Sequence, residues 1–334
     1  MTVLIRGAGI IGLSIGWRLA REGFSVSLYD KGKAGKGASW AAAGMLGPYA
    51  ESRFIEKIGL FQESLALYPQ FLKELSEDAG IPLEFETQGT LMAGIDRDDR
   101  AFLEHLFRDH EERGFPVKKL SSEESREIEP LLSPRVTGAL WFPTEWQIDN
   151  RRLIAALIRA FQKNGGLLHE DTPSPATVHI DAAGAWASDP RIRPNKGQIA
   201  TLLAPKTLRL SCVVRSPRIY LVPKKDGILR VGATDEEAGF TPGVFAGPIR
   251  DLLNSAAEIV PAIDEMELLE TIAAFRPLTE MKRPLIEEKD GTWLAAGHGR
   301  AGIVLAPYTA HRITNLFVRK HGHLFERKKT SVRS

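Results

Sequence analysis

Cysteine is almost missing from this chain of 334 residues: Cys212 is the only one. A lone thiol closes no internal disulfide and frames neither a cysteine metal site nor a dithiol redox pair, which fits a reducing compartment. Long apolar runs are missing too. No stretch approaches the ~20 apolar residues that cross a bilayer, and only residues 2–5 precede the first glycine-rich turn, so neither a membrane span nor a signal peptide is expected and the expected location is cytoplasmic. Charge of one sign is also lacking. With 44 Lys and Arg against 42 Asp and Glu, the formal charge is +2, too little for the one-sided field that nucleic-acid binding requires. No repeat or low-complexity stretch and no metal-ligand spacing stands out, so no metal is expected.

What is present is ordinary for a globular protein. The 43% hydrophobic and 26% charged residues argue against disorder and fibrous repeats. At roughly 150 residues per domain, the length suggests about two domains.

The first thirty residues carry the strongest local pattern. Val3-Leu4-Ile5 reads as a strand, Gly7-Ala8-Gly9-Ile10-Ile11-Gly12 as a glycine turn, and Ile11, Ile15 and Leu19 as one face of a helix. Gly7 permits the tight turn, Gly9 lets a pyrophosphate approach the backbone, and Gly12 lets the helix pack against the strand. The helix N-terminus, with Ile10 and Ile11 in its first turn, then faces the anion. A second strand at 25–29 ends in Asp30, followed by Lys31. An acidic side chain there hydrogen-bonds a ribose hydroxyl and repels a 2′-phosphate, which disfavours NADP; a plain strand-end turn residue is the alternative. To this point FAD and NAD both remain open.

After Asp30 the chain departs from a simple NAD pattern. A loop at 31–37 leads into Ser39-Trp40-Ala41-Ala42-Ala43-Gly44-Met45-Leu46-Gly47. Small residues in this place allow close backbone approach to a large planar ligand, and Ser39 is suited to cap a short helix. A tight helix-packing seam has the same composition.

The glycine turn, Asp30 and the 39–47 run resemble the FAD-dependent D-amino-acid oxidase superfamily, and within it the bacterial glycine oxidases of thiamine biosynthesis. Two later segments share the resemblance, in order: Arg218-Ile-Tyr-Leu-Val-Pro leading to Val231-Gly-Ala-Thr234, and the stretch 295–307 containing Gly-His-Gly-Arg-Ala-Gly. The resemblance implies an α/β fold of glutathione-reductase type, a Rossmann-like FAD-binding domain with a discontinuous antiparallel-sheet substrate domain. The expected segments are 1–80, 145–205 and 278–334 for FAD, and 81–144 and 206–277 for substrate. It implies non-covalent FAD, a small amino-acid or amine substrate, and molecular oxygen or another electron acceptor. Glycine, sarcosine or a small D-amino acid would give a 2-oxo acid, ammonia or amine, and hydrogen peroxide. Relatives of this kind are commonly oligomers, which makes a homo-oligomer the family expectation.

Between these motifs the sequence predicts an amphipathic helix over 61–78, a strand pair over 83–95 broken at Gln88-Gly89, a surface helix over 100–113 and another helix over 151–163. Residues 178–186 read as an apolar strand opening into small residues; the resemblance sets Ala183, Gly184 and Trp186 against the flavin dinucleotide. Residues 218–222 and 228–234 alternate around Asp226-Gly227, a strong hairpin signal. The basic tail from Arg319 reads as a solvated end.

Candidate chemistry rests on three side chains. Arg276 lies in an apolar strand-like segment, where an unpaired guanidinium is costly and a carboxylate partner is expected. The resemblance makes that partner the substrate; an internal ion pair is the alternative. Tyr220, on the hairpin, corresponds to the tyrosine that contacts the substrate carboxylate, against the alternative of a buried tyrosine satisfied by backbone. Arg300 belongs to the turn Gly297-His298-Gly299-Arg300-Ala301-Gly302, which leads through Ile303 into a helix with Pro307 near its first turn; relatives use this arginine at substrate and flavin. The glycines of that turn let N–H groups face the flavin, and the helix start favours the negative charge of reduction. His298 is read as structural, since a neutral amine needs no side-chain base.

Three positions depart from the family pattern. Gly299 and Ala301 stand where an aromatic residue and Asn are usual, which implies a wider pocket. Asp235 stands where Met is usual; an inward-facing carboxylate there would favour a cationic substrate, and a solvent-facing one is the alternative. The 167–181 stretch is short, which implies less cover over the adenine half. Rival readings are an FAD dehydrogenase, an FAD module acting on modified tRNA uridine, which requires a basic surface, and a flavin protein without turnover, which the trio Tyr220, Arg276 and Arg300 argues against.

Overall fold

Six strands build the first sheet, in the order Leu285–Lys289, Thr292–Ala296, Val178–Asp181, Thr2–Arg6, Ser25–Tyr29 and Leu167–His169. All pairings are parallel except the first, an antiparallel hairpin at the edge. The computed structural model describes residues 2–51, 58–170 and 175–321. The basic tail expected from Arg319 begins as the last turn of the helix Gly302–His321, where Lys320 pairs with Glu288; its residues beyond His321, and residues 171–174 of the short segment, lie outside the described residues.

The central helix Ile10–Arg21 buries ten of its twelve residues, so it is apolar nearly all round and enclosed on every side. The sheet takes one face, while the helices Ile58–Ala79, Asn150–Lys163 and Gly302–His321 close round it. Trp17 meets the Phe71 ring edge-on at 5.2 Å, and Phe24 meets Phe317 at 5.0 Å. Full burial of aromatic side chains of this size stabilises by roughly 1.5–3 kcal/mol each. Arg18 and Arg21 in the last turn oppose the negative end of the helix dipole. Pro307 comes a full turn inside the last helix.

Eight strands form the second sheet: Glu267–Thr279, Ile192–Leu203, Ile228–Gly232, Tyr220–Pro223, Val213–Arg215, Thr90–Gly94, Gly138–Phe142 and Lys118–Leu120. Only the Val213–Arg215 pairing with Thr90–Gly94 is parallel. The predicted hairpin forms around Gly227, whose φ of 88° demands glycine. The strand pair expected over 83–95 does not: only Thr90–Gly94 is a strand, and Glu86 makes a single bridge to Gln147. Leu83 and Phe85 still pack against the first core, Phe85 with its ring 4.9 Å from that of Trp146, but beyond the Glu86 bridge their backbone pairs with no strand among the described residues. Ile192–Leu203 was expected in the FAD segment ending at 205, yet it is a strand of this second sheet. Its start, opposite the end of the antiparallel Glu267–Thr279, lies beside the first sheet, where Ile192 packs with Leu285, Leu294 and Ala296, and both strands are long enough to run through the second.

Candidate active site

An elongated cavity of about 690 Å³ runs from the first sheet's carboxyl ends to the face of the second sheet. Its first end is built by the glycine turn. Gly7 has φ of 102°, and a Cβ there would lie 2.4 Å from the Ala182 carbonyl oxygen. A Cβ on Gly12 would lie 1.9 Å from the Gly7 carbonyl oxygen, so the helix start and the turn touch backbone to backbone. Gly7, Gly9, Ile10 and Ile11 line the cavity; Gly12 serves this packing instead. Asp30 accepts from the Ala8 and Gly32 amides at 2.8 and 3.0 Å, so it both shapes the turn and lines the cavity, beside Lys31.

Ser39 departs from its expected role. The short helix Ala38–Ala41 is preceded by Gly37 as its N-cap, and Ser39 sits inside it. Its hydroxyl instead accepts the Ile10 amide at 2.9 Å, tying this small-residue segment to the start of the central helix. Ala41, Ala42, Gly44 and Met45 continue the lining, with Ala183, Gly184 and Trp186 on the opposite wall. Trp186 is 51% exposed and stacks on Phe240 at 5.2 Å.

The other end carries the three chemical candidates together. Tyr220 lies across Gly232, its partner on the neighbouring strand; a Cβ there would be 2.3 Å from the tyrosine Oη. The hydroxyl makes no hydrogen bond among the described residues, so backbone satisfaction does not explain it. Burial raises its pKa above the ordinary phenol value. The Arg276 Nη1 donates to Asn195 Oδ1 and the Thr234 carbonyl at 3.0 Å each, and to the Lys196 carbonyl at 3.4 Å. All three acceptors are neutral, and among the described residues no carboxylate pairs with it, which corrects the alternative of an internal ion pair. Burial, reinforced by the nearby Arg300 charge, lowers its pKa.

Arg300 is paired: its Nη2 donates to Asp235 Oδ2 at 2.6 Å. Asp235 Oδ1 accepts from Asn195 Nδ2 at 2.8 Å. The carboxylate is therefore engaged on both oxygens, and its side chain, 39% exposed and outside the cavity lining, takes the solvent-facing alternative. His298, Gly299, Arg300, Ala301, Gly302 and Ile303 all line the cavity, while Gly297 does not; a Cβ on Gly297 would lie 2.5 Å from Thr279 Cγ2, so its role is packing. His298 Nε2 lies 2.9 Å from Thr309 Oγ1, and burial pushes the imidazole down to about 3.

Sequence reasoning missed Glu51 and Arg215, which line this end and pair at 3.0 Å, and Asn195 and Gly197. Gly197 alone carried a signal: a glycine inside a strand marks a close approach. A Cβ on it would lie 2.3 Å from Arg276 Nη2.

A model of FAD-dependent oxidoreductases, DAO, matches residues 2–316. The chain belongs to the DAO family of FAD-dependent oxidoreductases. Glycine oxidase of Geobacillus kaustophilus is 33% identical over 95% of this chain and 93% of its own length. The bifunctional protein ThiO/ThiG of Trichormus variabilis is 30% identical over 95% of this chain, which spans 52% of that protein. The crystal structure of the Geobacillus enzyme superposes with a TM-score of 0.87 over 95% of this chain and 94% of that one, at 32% identity. Iminodiacetate oxidase of Chelativorans superposes with a TM-score of 0.84 at 27% identity, over 95% of each chain.

The residues present fit the DAO family's FAD. The turn at Gly7 and Gly9 on the cavity wall, the helix start that follows it with Ile10 and Ile11 in the lining, and a cavity of about 690 Å³ suit a dinucleotide. No group of His, Cys, Asp and Glu suited to a metal occurs among the described residues, and none of their helices is long and apolar enough to cross a membrane.

Proposed function

We propose that the protein oxidises the amine of glycine, sarcosine or a small D-amino acid. Amino acid, oxygen and water give the 2-oxo acid, ammonia or amine, and hydrogen peroxide, in a role serving thiamine biosynthesis. The observation that carries this reading is Arg276, a guanidinium on the cavity wall with only neutral acceptors, beside a tyrosine hydroxyl that has no partner among the described residues. A carboxylate placed there gains charge-assisted hydrogen bonds and relieves an uncompensated cation.

Bound FAD supplies the two-electron acceptor. The first turn of the Ile10–Arg21 helix would hold its pyrophosphate, Asp30 its ribose, and the Ala41–Met45 and Gly299–Ile303 backbones its ring system. Arg276 and Tyr220 grip the substrate carboxylate from two strands, which leaves the α-carbon one orientation. The start of the Gly302–His321 helix lines the cavity and favours negative charge developing there. His298, uncharged and tied to Thr309, keeps that turn in place instead of moving a proton. No side chain is asked to take the amine proton, because the neutral amine is the reacting form.

The test is anaerobic addition of glycine, sarcosine and D-alanine to the purified holoenzyme. Bleaching of the oxidised-flavin bands by one of them is expected; bands that survive all three refute the reading. Peroxide yield in air then tells oxygen from another acceptor.

A further inference from the structure

We propose that Asp235 balances the charge of the substrate pocket and thereby restricts it to substrates with a single carboxylate. The proposal rests on the reading of Arg276 as the carboxylate-binding residue. Among the described residues, three guanidinium groups line the substrate end: Arg215, Arg276 and Arg300. Glu51 pairs with Arg215 at 3.0 Å and Asp235 with Arg300 at 2.6 Å. Arg276 alone keeps neutral acceptors.

One buried amide joins two of these groups. Asn195, 1% exposed, stands directly opposite Arg276 across the strand pair. Its Oδ1 accepts from Arg276 and its Nδ2 donates to Asp235. The donor end must meet the carboxylate and the acceptor end the guanidinium, so both neighbours fix the amide in one orientation. Arg276, Asn195, Asp235 and Arg300 thus form a continuous chain in which one negative charge sits between two positive ones.

Binding one carboxylate brings this pocket to charge balance. A second carboxylate would have to displace Asp235 from Arg300 or lie near Glu51, and like charges at such distances repel. Without Asp235, Arg300 becomes a second uncompensated cation and the preference shifts towards dicarboxylates. The Asp235 side chain is 39% exposed, and water and salt screen it, so the shift is about tenfold and not larger.

The experiment titrates the holoenzyme with acetate and with malonate, following the flavin absorbance, and compares the ratio of the two dissociation constants. In Asp235→Asn, and likewise in Asp235→Ser, the malonate-to-acetate ratio should fall about tenfold from that of the unmodified protein. In the double variant D235N/R300Q it should return towards the original value, because the released cation is gone. A ratio that stays the same in both Asp235 variants overturns the proposal, as does a fall that persists in the double variant. Arg276→Gln separates the two levels of the claim: if acetate affinity is unaffected by it, the carboxylate reading itself fails and the role of Asp235 falls with it.

Discussion

The guanidinium of Arg276 lies over Gly197 on the neighbouring strand, so close that a Cβ on the glycine would sit 2.3 Å from Nη2. The clash would involve the end of the one side chain that holds an uncompensated positive charge at the substrate end. A single methyl group at Gly197 is therefore expected to displace the carboxylate grip and little else. Gly197→Ala should lower kcat/KM by about 10²-fold, the cost of misplacing a positioning group by an ångström. Flavin content should hold. Steady-state kinetics alongside the ratio of flavin to protein absorbance would check it; a variant with normal kcat/KM would show that Arg276 has another route to the same position.

Tyr220→Phe removes a hydroxyl that has no hydrogen-bond partner among the described residues. The fold loses no bond, so the melting temperature should barely move. A hydrogen bond to a charged group is worth about 1.5–3 kcal/mol, and kcat/KM should drop by roughly 10- to 100-fold. Because burial raises the phenol pKa, the hydroxyl stays a donor above the ordinary value near 10, and no activity loss from its ionisation is expected at or below that pH. An inflection near pH 9 present in the unmodified protein and absent from the phenylalanine variant would contradict this.

His298 makes stability depend on pH. Burial pushes its imidazole down to about 3, while the unfolded chain titrates near 6.5. Between these values the unfolded state binds the extra proton. Stability therefore falls as pH drops from 6.5 towards 3, by up to about 1.4 kcal/mol for each pH unit. His298→Gln should have a flatter profile of melting temperature against pH over that window. Parallel curves for the two proteins would remove His298 as the cause.

Cys212 should be inert. It is 1% exposed within the apolar core beneath the second sheet, away from the cavity lining, and burial pushes its thiol up. Alkylation in the native protein at pH 8 is expected only after denaturant is added. Acid precipitation of the holoenzyme should release all flavin to the supernatant; flavin left in the pellet would mean a covalent link.

The dinucleotide half was legible from the residues because its constraints are local. Gly7, Gly9 and Gly12 answer to one turn, and the crossover helix follows from the spacing of Ile11, Ile15 and Leu19. The hairpin at Asp226-Gly227 was legible for the same reason. Ser39 was not: capping its own helix and capping Ile10 are equally compatible with the local sequence, and only the fold brings residues 10 and 39 together.

By itself, then, the sequence determined the nucleotide-binding turn, the choice of Tyr220, Arg276 and Arg300 as candidates and the family resemblance that linked them. Tertiary structure decided their electrostatic state. Arg276, Asn195, Asp235 and Arg300 come from separate stretches of the chain, and the antiparallel register that sets Asn195 opposite Arg276 is a long-range pairing. Strand pattern constrains which face a residue takes but not which distant residue stands across from it. That pairing commits Asp235 to Arg300 and leaves Arg276 without a carboxylate.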